Sequence, residues 1–152
     1  HGTGSFSFEV SEAALHDGIV PDVISSDIHQ TARQGPAFDL PTTLSKFLNL
    51  GMTLPDVIER ATSRPAAAMR RPELGTLSVG APADVAIFRV EEGEFRFFDS
   101  QMVERGGTQR LMNTLTLVDG QALPRLPERP MHSWATLPEH QLPIKERGQY
   151  DW

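Results

Sequence analysis

The sequence predicts an α/β fold whose character changes near Leu74. Before that residue, apolar side chains recur mostly at helical spacing, around one short apolar run at residues 23–26. After it, apolar and polar residues alternate, as they do in half-buried strands. A strand followed by a helix and a further strand favours a parallel sheet, and one such unit is too small to be stable alone. We therefore expect the first part to be the last piece of a larger α/β unit.

Composition is typical of a globular protein and argues against several partners. The chain has 152 residues, of which 39% are hydrophobic and 22% charged, enough for one domain of ordinary size. Its net charge of -6 argues against nucleic acid, because phosphate binding needs a basic surface. The absence of cysteine excludes disulfides and thiolate metal sites and fits a cytoplasmic location. No apolar run approaches the ~20 residues that span a bilayer, so no membrane partner is expected.

The first predicted helix covers residues 5–18. Ser5 or Ser7 is suited to cap its amino end, and Gly18 is suited to end it. The apolar stripe of this helix recurs every four residues and consists of Phe6, Val10 and Ala14.

Three further helices are predicted, over residues 40–51, 53–62 and 64–71. The first of them has an apolar face that consists of Leu44, Phe47 and Leu48. Gly51 is its expected stop. Thr53 is the expected cap of the next helix, with Pro55 in its first turn.

The second part of the chain is typical of short strands and turns. The run at residues 83–90 is nearly all apolar, which predicts a strand buried on both faces. Asp119-Gly120, after an alternating segment, is a strong signal for a hairpin turn. Residues 124–152 are rich in proline and charge and predict an extended tail. Its aromatic side chains, which would lie on a surface, are Trp134, Tyr150 and Trp152.

The stretch PDVISSDIH, residues 21–29, places the carboxylate of Asp27 directly after the short apolar run. In parallel α/β folds the active site lies at the carboxyl ends of the strands. A carboxylate there can ligate a metal ion or act as a general base. The alternative is that Asp27 only caps the following turn, a common role for aspartate. Its place after a buried strand favours the functional interpretation.

His1 and Gly2 precede the first predicted helix and are candidates for the same site. A helix amino end that carries Gly4 and Ser5 is also able to hold an anion. The alternative for His1 is an exposed loop position, which the residues taken alone favour.

The other histidines give little support for a metal site. His29 lies two residues after Asp27, a spacing that is not dependable for metal binding on a strand end. Three more are predicted to lie on the surface, namely His16, His132 and His140. The sequence contains no His-x-His pair, HExxH motif, nucleophile elbow or phosphate-binding loop. It therefore holds too few candidate ligands for a complete metal centre.

Five stretches together resemble the carboxyl-terminal part of a metal-dependent amidohydrolase, in the branch of dihydroorotases, D-aminoacylases and deacetylase-like proteins. They are HGTGSFSFEVSEAAL, PDVISSDIH, GPAFDLPTTLSKFLNLGM, DVIERATSRPAAAM and LGTLSVGAPADVAIF, and they cover roughly residues 1–90. The last is characteristic of the superfamily at the point where the chain leaves a barrel for a small β-sandwich. HGTGSFSF with FDLPTT is more specific to the deacetylase-like branch.

The resemblance implies a division of the chain into three parts. Residues 1–73 would be the last βα units of a (β/α)8 hydrolase barrel, and residues 74–123 the carboxyl-terminal strands of a composite β-sandwich. Residues 124–152 would be the extended tail. The family's other metal ligands, including its His-x-His pair and a bridging modified lysine, would precede His1. The chain is therefore expected to be a carboxyl-terminal fragment.

The resemblance also implies roles for the candidate residues. Asp27 matches the aspartate that ends the last barrel strand, which ligates a metal and moves a proton from the metal-bound hydroxide to the leaving group. One or two divalent metals are implied, with zinc as the expected one, held mostly by residues upstream of this chain. His1 and Gly2 match the end of the seventh strand and are assigned to substrate binding. Residues 39–43 match the loop after strand eight, which would cover the site.

The implied function is hydrolysis of carbon–nitrogen bonds in small amide, N-acyl or cyclic amide substrates, through metal-activated water and without an organic cofactor. The chain alone would be inactive. Two alternatives stay open: an ester hydrolase on the same scaffold, and a dihydroorotase-like structural protein that lacks activity. A homo-oligomer formed through the full-length protein also stays open.

Overall fold

The computed structural model describes residues 6–29, residue 32 and residues 35–124. Within them, the helices are α1 (Phe8–His16), α2 (Leu40–Asn49), α3 (Leu54–Glu59) and α4 (Ser63–Ala68). The strands are β1 (Val85–Phe98), β2 (Glu104–Val118) and β3 (Gln121–Ala122). They form one antiparallel sheet in the order β1-β2-β3. The α/β class is therefore confirmed, although the described residues contain no parallel pair of strands.

The start of α1 confirms one prediction and contradicts another. Ser7 caps the helix, since its side chain accepts a hydrogen bond from the amide of Val10. The predicted apolar stripe is wrong, because Val10 is 68% exposed whereas Phe8 is buried. Phe6 precedes the first helical residue and so does not lie on the helical face. Phe6 and Phe8 instead pack with Phe97 of β1 in a small aromatic cluster.

The helices α2 and α3 lie where the sequence predicts helices, and Thr53 caps α3 as expected. The Asp39 side chain accepts a hydrogen bond from the amide of Thr42 at 2.8 Å and thereby caps α2. Thr53 caps α3 in the same way, through the amide of Asp56. The larger core cluster joins these helices to β2 and consists of Ile24, Leu44, Leu48, Val57 and Leu111.

Residues 23–26 do not form the predicted strand. Ile24 is buried, but its amide donates to the backbone oxygen of Arg60 at 2.8 Å rather than to a neighbouring strand. A strand needs a ladder of such bonds to an adjacent strand. The apolar run is therefore an extended segment that packs beside the end of α3.

The sheet is a long two-stranded ribbon with a short third strand. The strand predicted at residues 83–90 is the first part of a longer strand, β1, which has register shifts after Ile87 and after Glu92. The expectation of burial on both faces is wrong, since Ile87 is 46% exposed. An antiparallel ribbon covered on one side leaves such residues accessible.

The hairpin at Asp119-Gly120 is confirmed. Both residues have positive φ angles, 49° and 73°, as the tight two-residue turns between antiparallel strands require. The turn joins β2 to β3.

Polar side chains of α2 hold the helix on β2. Ser45 Oγ accepts a hydrogen bond from the amide of Leu111 at 2.8 Å. Asn49 Nδ2 donates to the backbone oxygen of Gln109 at 2.7 Å. Gly107 allows this close approach, because a Cβ atom there would lie 2.6 Å from the Asn49 side chain. The helix is thus bonded to the backbone of the strand and not only packed against it.

The tail and the division of the chain into parts stay predictions. The tail at residues 124–152 lies outside the described residues except for Pro124. The division of the chain at residues 73 and 123 stays a prediction.

None of the described helices has the length and apolar character that crossing a membrane requires.

Candidate functional site

Arg60 holds the segment that leads to Asp27. Its backbone oxygen accepts the amide of Ile24, and its Nε donates to the backbone oxygen of Pro21 at 2.7 Å. The Arg60 residue is only 7% exposed, and its Nη1 also donates to Asp56 Oδ1 at 3.1 Å. Sequence reasoning missed this residue, because an arginine at a helix end gives no sign that its side chain will be buried.

Asp27 lies at the exposed end of this segment. Its φ angle is 47°, in the left-handed region that few residues other than glycine adopt. Aspartate tolerates this region better than most residues. Strained backbone persists where the surroundings impose it, and it is a reason to look for function. The proposed catalytic and metal-binding roles of Asp27 stay predictions.

Hydrogen bonds of Ala32 connect His29 to the turn that begins at Gly35. The Ala32 amide donates to His29 Nδ1 at 3.4 Å, which leaves Nε2 to carry the proton of a neutral ring. The backbone oxygen of Ala32 accepts the amides of Gly35 and Phe38, each at 3.1 Å. Ala32 itself is fully buried. His29 is therefore fixed to a turn that belongs to the folded interior.

Lys46 of α2 lies buried beneath this turn, with no exposed surface. Its Nζ donates to the backbone oxygen of Pro36 at 2.7 Å and to that of Phe98 at 2.6 Å. The same ammonium lies 5.7 Å from the centre of the Phe6 ring, within the range of a cation–π interaction. The helical pattern indicates only the apolar neighbours of Lys46, so no local pattern predicts a buried cation.

Burial lowers the pKa of Lys46 to about 7, because the ammonium loses its hydration. The carboxylates of Asp99 and Asp39 act in the opposite direction and favour the charged form. Asp99 is itself buried at the end of β1, where its Oδ2 accepts the amide of Phe8 at 3.2 Å. Its Oδ1 accepts the amide of Val103 at 2.9 Å. The interior between α1, α2 and β1 thus contains a cation and an anion.

The predictions for His1 and Gly2 and for the loop at residues 39–43 have different outcomes. His1 and Gly2 lie outside the described residues, so their assignment to substrate binding stays a prediction. The loop expected at residues 39–43 is not a loop: Asp39 is the cap of α2, and the following residues are its first turn. Asp39 is committed to that cap because its carboxylate satisfies an amide that the helix leaves unpaired.

The described part of the chain does not assemble a metal centre of its own. No three histidine, aspartate or glutamate side chains within it lie close enough together to hold a metal ion. A carboxylate such as that of Asp27 is a suitable zinc ligand, but a catalytic zinc site uses about three protein ligands. The residues present therefore do not fit a complete site, and further ligands would have to come from elsewhere.

An open cleft of about 450 Å³ lies between α1 and the start of α3. Its lining includes Glu12, His16, Met52 and Arg60 but neither Asp27 nor His29. This cleft therefore does not contain the predicted catalytic residue.

Comparisons with known proteins give three similar deacetylases. No family profile matches the chain. A deacetylase of Enterococcus faecalis is 37% identical over 122 residues, which are 80% of this chain and 33% of that protein. Deacetylases of Brucella anthropi and Agrobacterium fabrum are 41% and 39% identical over 100 residues each, which are 66% of this chain and 25% of those proteins. The chain thus spans a third or less of the length of these relatives.

Two solved structures have a similar fold. An adenine deaminase matches with a TM-score of 0.79 and 36% identity, over 82% of this chain and 34% of the deaminase chain. A dihydroorotase matches with a TM-score of 0.75 and 32% identity, over 81% of this chain and 33% of the dihydroorotase chain. These similarities agree with the five stretches that carry the resemblance in the sequence, and on this evidence the chain belongs to the amidohydrolase superfamily.

Proposed function

We propose that this chain forms the carboxyl-terminal part of a hydrolase that acts on carbon–nitrogen bonds in small amide or N-acyl compounds. The observation that carries the proposal is the likeness to an adenine deaminase structure over 82% of this chain at 36% identity. The dihydroorotase and the deacetylases support the same class of reaction. The complete enzyme would be a protein in which this chain is joined to the further segments that its longer relatives contain.

Asp27 is the proposed proton-transferring carboxylate of that enzyme. Its side chain lies at an exposed position, while Arg60 holds the backbone that leads to it. An attacking water must lose a proton and a leaving nitrogen must gain one, and a single carboxylate is able to do both in turn. His1 and Gly2 are proposed to contact the substrate.

Metal dependence is part of the proposal. The described residues do not bring three candidate ligands together, so ligands other than the Asp27 carboxylate would come from the rest of the complete enzyme. A divalent metal, with zinc as our choice, would when bound make a water molecule more acidic.

The test is an assay of the complete enzyme on matched substrates. An N-acetyl amino acid and a cyclic amide are compared with an acetyl ester of similar shape, before and after chelation and after zinc is added back. We expect amide hydrolysis that is lost with the metal and restored by zinc. Cleavage of the ester alone would favour an ester hydrolase. A folded, metal-loaded protein that cleaves none of them would favour a structural role, and either result would overturn the proposal.

A further inference from the structure

A chain of hydrogen bonds runs from the end of β1 to the residues that follow Asp27. Its central member is Lys46, whose Nζ donates to the backbone oxygens of Phe98 and Pro36. We propose that Lys46 is a positioning residue, which fixes the turn after Asp27 against the sheet and thereby sets the orientation of the Asp27 carboxylate. This inference rests on the proposed function, in which Asp27 transfers the proton.

A shift in the position of this turn would also shift Asp27, because hydrogen bonds and a short stretch of chain connect the two. Pro36 lies between Gly35 and Phe38, whose amides both donate to the backbone oxygen of Ala32. The amide of Ala32 in turn donates to the ring of His29. His29 follows Asp27 by only two residues, so the route from Lys46 to Asp27 consists of short bonded steps.

The buried charge and the two hydrogen bonds of Lys46 indicate a positioning role and not only the filling of space in the core. A methionine would occupy a similar volume without the cost of burying a charge. Two backbone oxygens from segments far apart in the sequence share the Lys46 ammonium. Hydrogen bonds are directional, so they fix the separation of these segments, whereas an apolar side chain would let them slide.

The charged groups around Lys46 do not substitute for these bonds. Asp99 at the end of β1 and Asp39 at the start of α2 both favour the charged form of Lys46. Asp99 is engaged with backbone amides, among them that of Phe8, and Asp39 caps α2. The bonds from Nζ to Pro36 and Phe98 thus connect the turn to the sheet directly.

The experiment compares Lys46→Met with the unmodified complete enzyme by amide hydrogen exchange and steady-state kinetics. We expect the Gly35 and Phe38 amides to exchange at least ~10-fold faster, because the turn opens locally. We also expect kcat to fall by ~10-fold or more while KM changes little, as a misplaced reacting group predicts. If the methionine variant does not fold, Lys46→Gln, which keeps a donor on a shorter side chain, is measured in the same way.

Asn49→Ala is the matched control. It also removes hydrogen bonds between α2 and the sheet, to Gln109 and Thr108, but it leaves the bond to Pro36 intact. We expect it to leave exchange at Gly35 and Phe38 unchanged.

The results of this experiment show separately whether the positioning role of Lys46 and the proposed function are correct. Equal exchange in the lysine variant and the control, or faster exchange with an unchanged kcat, would overturn the positioning role. Absence of hydrolysis by the unmodified enzyme would overturn the proposed function and, with it, the effect on Asp27. In that case the exchange rates at Gly35 and Phe38 would still show whether Lys46 fixes the turn.

Discussion

The amide of Ile24 donates a 2.8 Å hydrogen bond to the backbone oxygen of Arg60, where the sequence predicts a bond to a neighbouring strand. The guanidinium of the same arginine bonds to Pro21 on the preceding side of the segment. The path of the chain into Asp27 thus depends on one residue at the end of α3. A substitution of Arg60 therefore tests directly what holds the backbone that leads to Asp27.

We expect Arg60→Met to lower the free energy of unfolding of the complete enzyme by about 1–3 kcal/mol, because the partly buried oxygen of Pro21 loses its donor. The ion pair with Asp56 adds little, since that carboxylate is half exposed. The measurement is urea unfolding. Arg71→Met is the control, because the Arg71 side chain is exposed and pairs with Glu73. Similar losses in both variants would contradict a special role for Arg60.

Local signals explain why much of the fold was predictable. Thr53 lies at a helix start where its side chain accepts a backbone amide, and such a cap depends only on neighbouring residues. The Asp119-Gly120 turn is local in the same sense, because both residues tolerate positive φ.

Burial was less predictable, because it depends on contacts between distant segments. Val10 has a helical apolar spacing, yet it is exposed because the helix starts at Phe8 and packs through that end. Lys46 is buried because the backbone oxygens of Pro36 and Phe98 converge on it, which no local pattern encodes. Asp27 was singled out because it follows an apolar run and matches a residue of the resembled family. Its role stays a prediction, and its φ angle required the structure.

Asp27→Asn tests the proposed catalytic role. The amide cannot accept the proton that the carboxylate would take, so we expect turnover by the complete enzyme to fall at least ~100-fold. Asp22→Asn is the control, since Asp22 is exposed in the same segment and has no proposed role. Steady-state assays with an N-acyl substrate measure both. Near-normal turnover in Asp27→Asn would reject the assignment.

The stability of the complete enzyme should depend on pH through Lys46. Burial lowers the pKa of Lys46 to about 7 in the folded state, against an ordinary value of about 10.4 when unfolded. Between those values the unfolded chain binds more protons, so the free energy of unfolding rises with pH, by at most about 1.4 kcal/mol per unit. Below about pH 7 both states are protonated and this contribution is constant.

Urea unfolding between about pH 6 and pH 10 measures this effect, with Lys46→Met as the comparison. The methionine variant lacks the titrating amine, so its stability should not show the rise that Lys46 causes above pH 7. The same rise in both proteins would show that another group is responsible.

Residues 1–152 expressed alone should self-associate or form a loosely packed state. Large apolar side chains are exposed on the helices, the loops and the sheet, among them Val10, Ile19, Met69, Leu77, Val79 and Ile87. Exposed apolar surface on this scale favours association with further protein. Light scattering after size-exclusion chromatography and a thermal melt measure the outcome. A monodisperse monomer with a sharp cooperative melt would contradict this expectation.

A measurement of zinc binding distinguishes two possibilities: the chain needs further ligands from elsewhere, or it forms a metal centre by itself. Within the described residues, Asp27 has no pair of histidine or carboxylate neighbours arranged to complete a site. A catalytic zinc uses about three protein ligands, and partners in a second shell normally orient them. Calorimetric titration of zinc into the 152-residue chain should therefore show weak binding without a defined stoichiometry. The complete enzyme should retain its metal through dialysis. A single tight site in the 152-residue chain that disappears in Asp27→Ala would show instead that this chain supplies all the ligands.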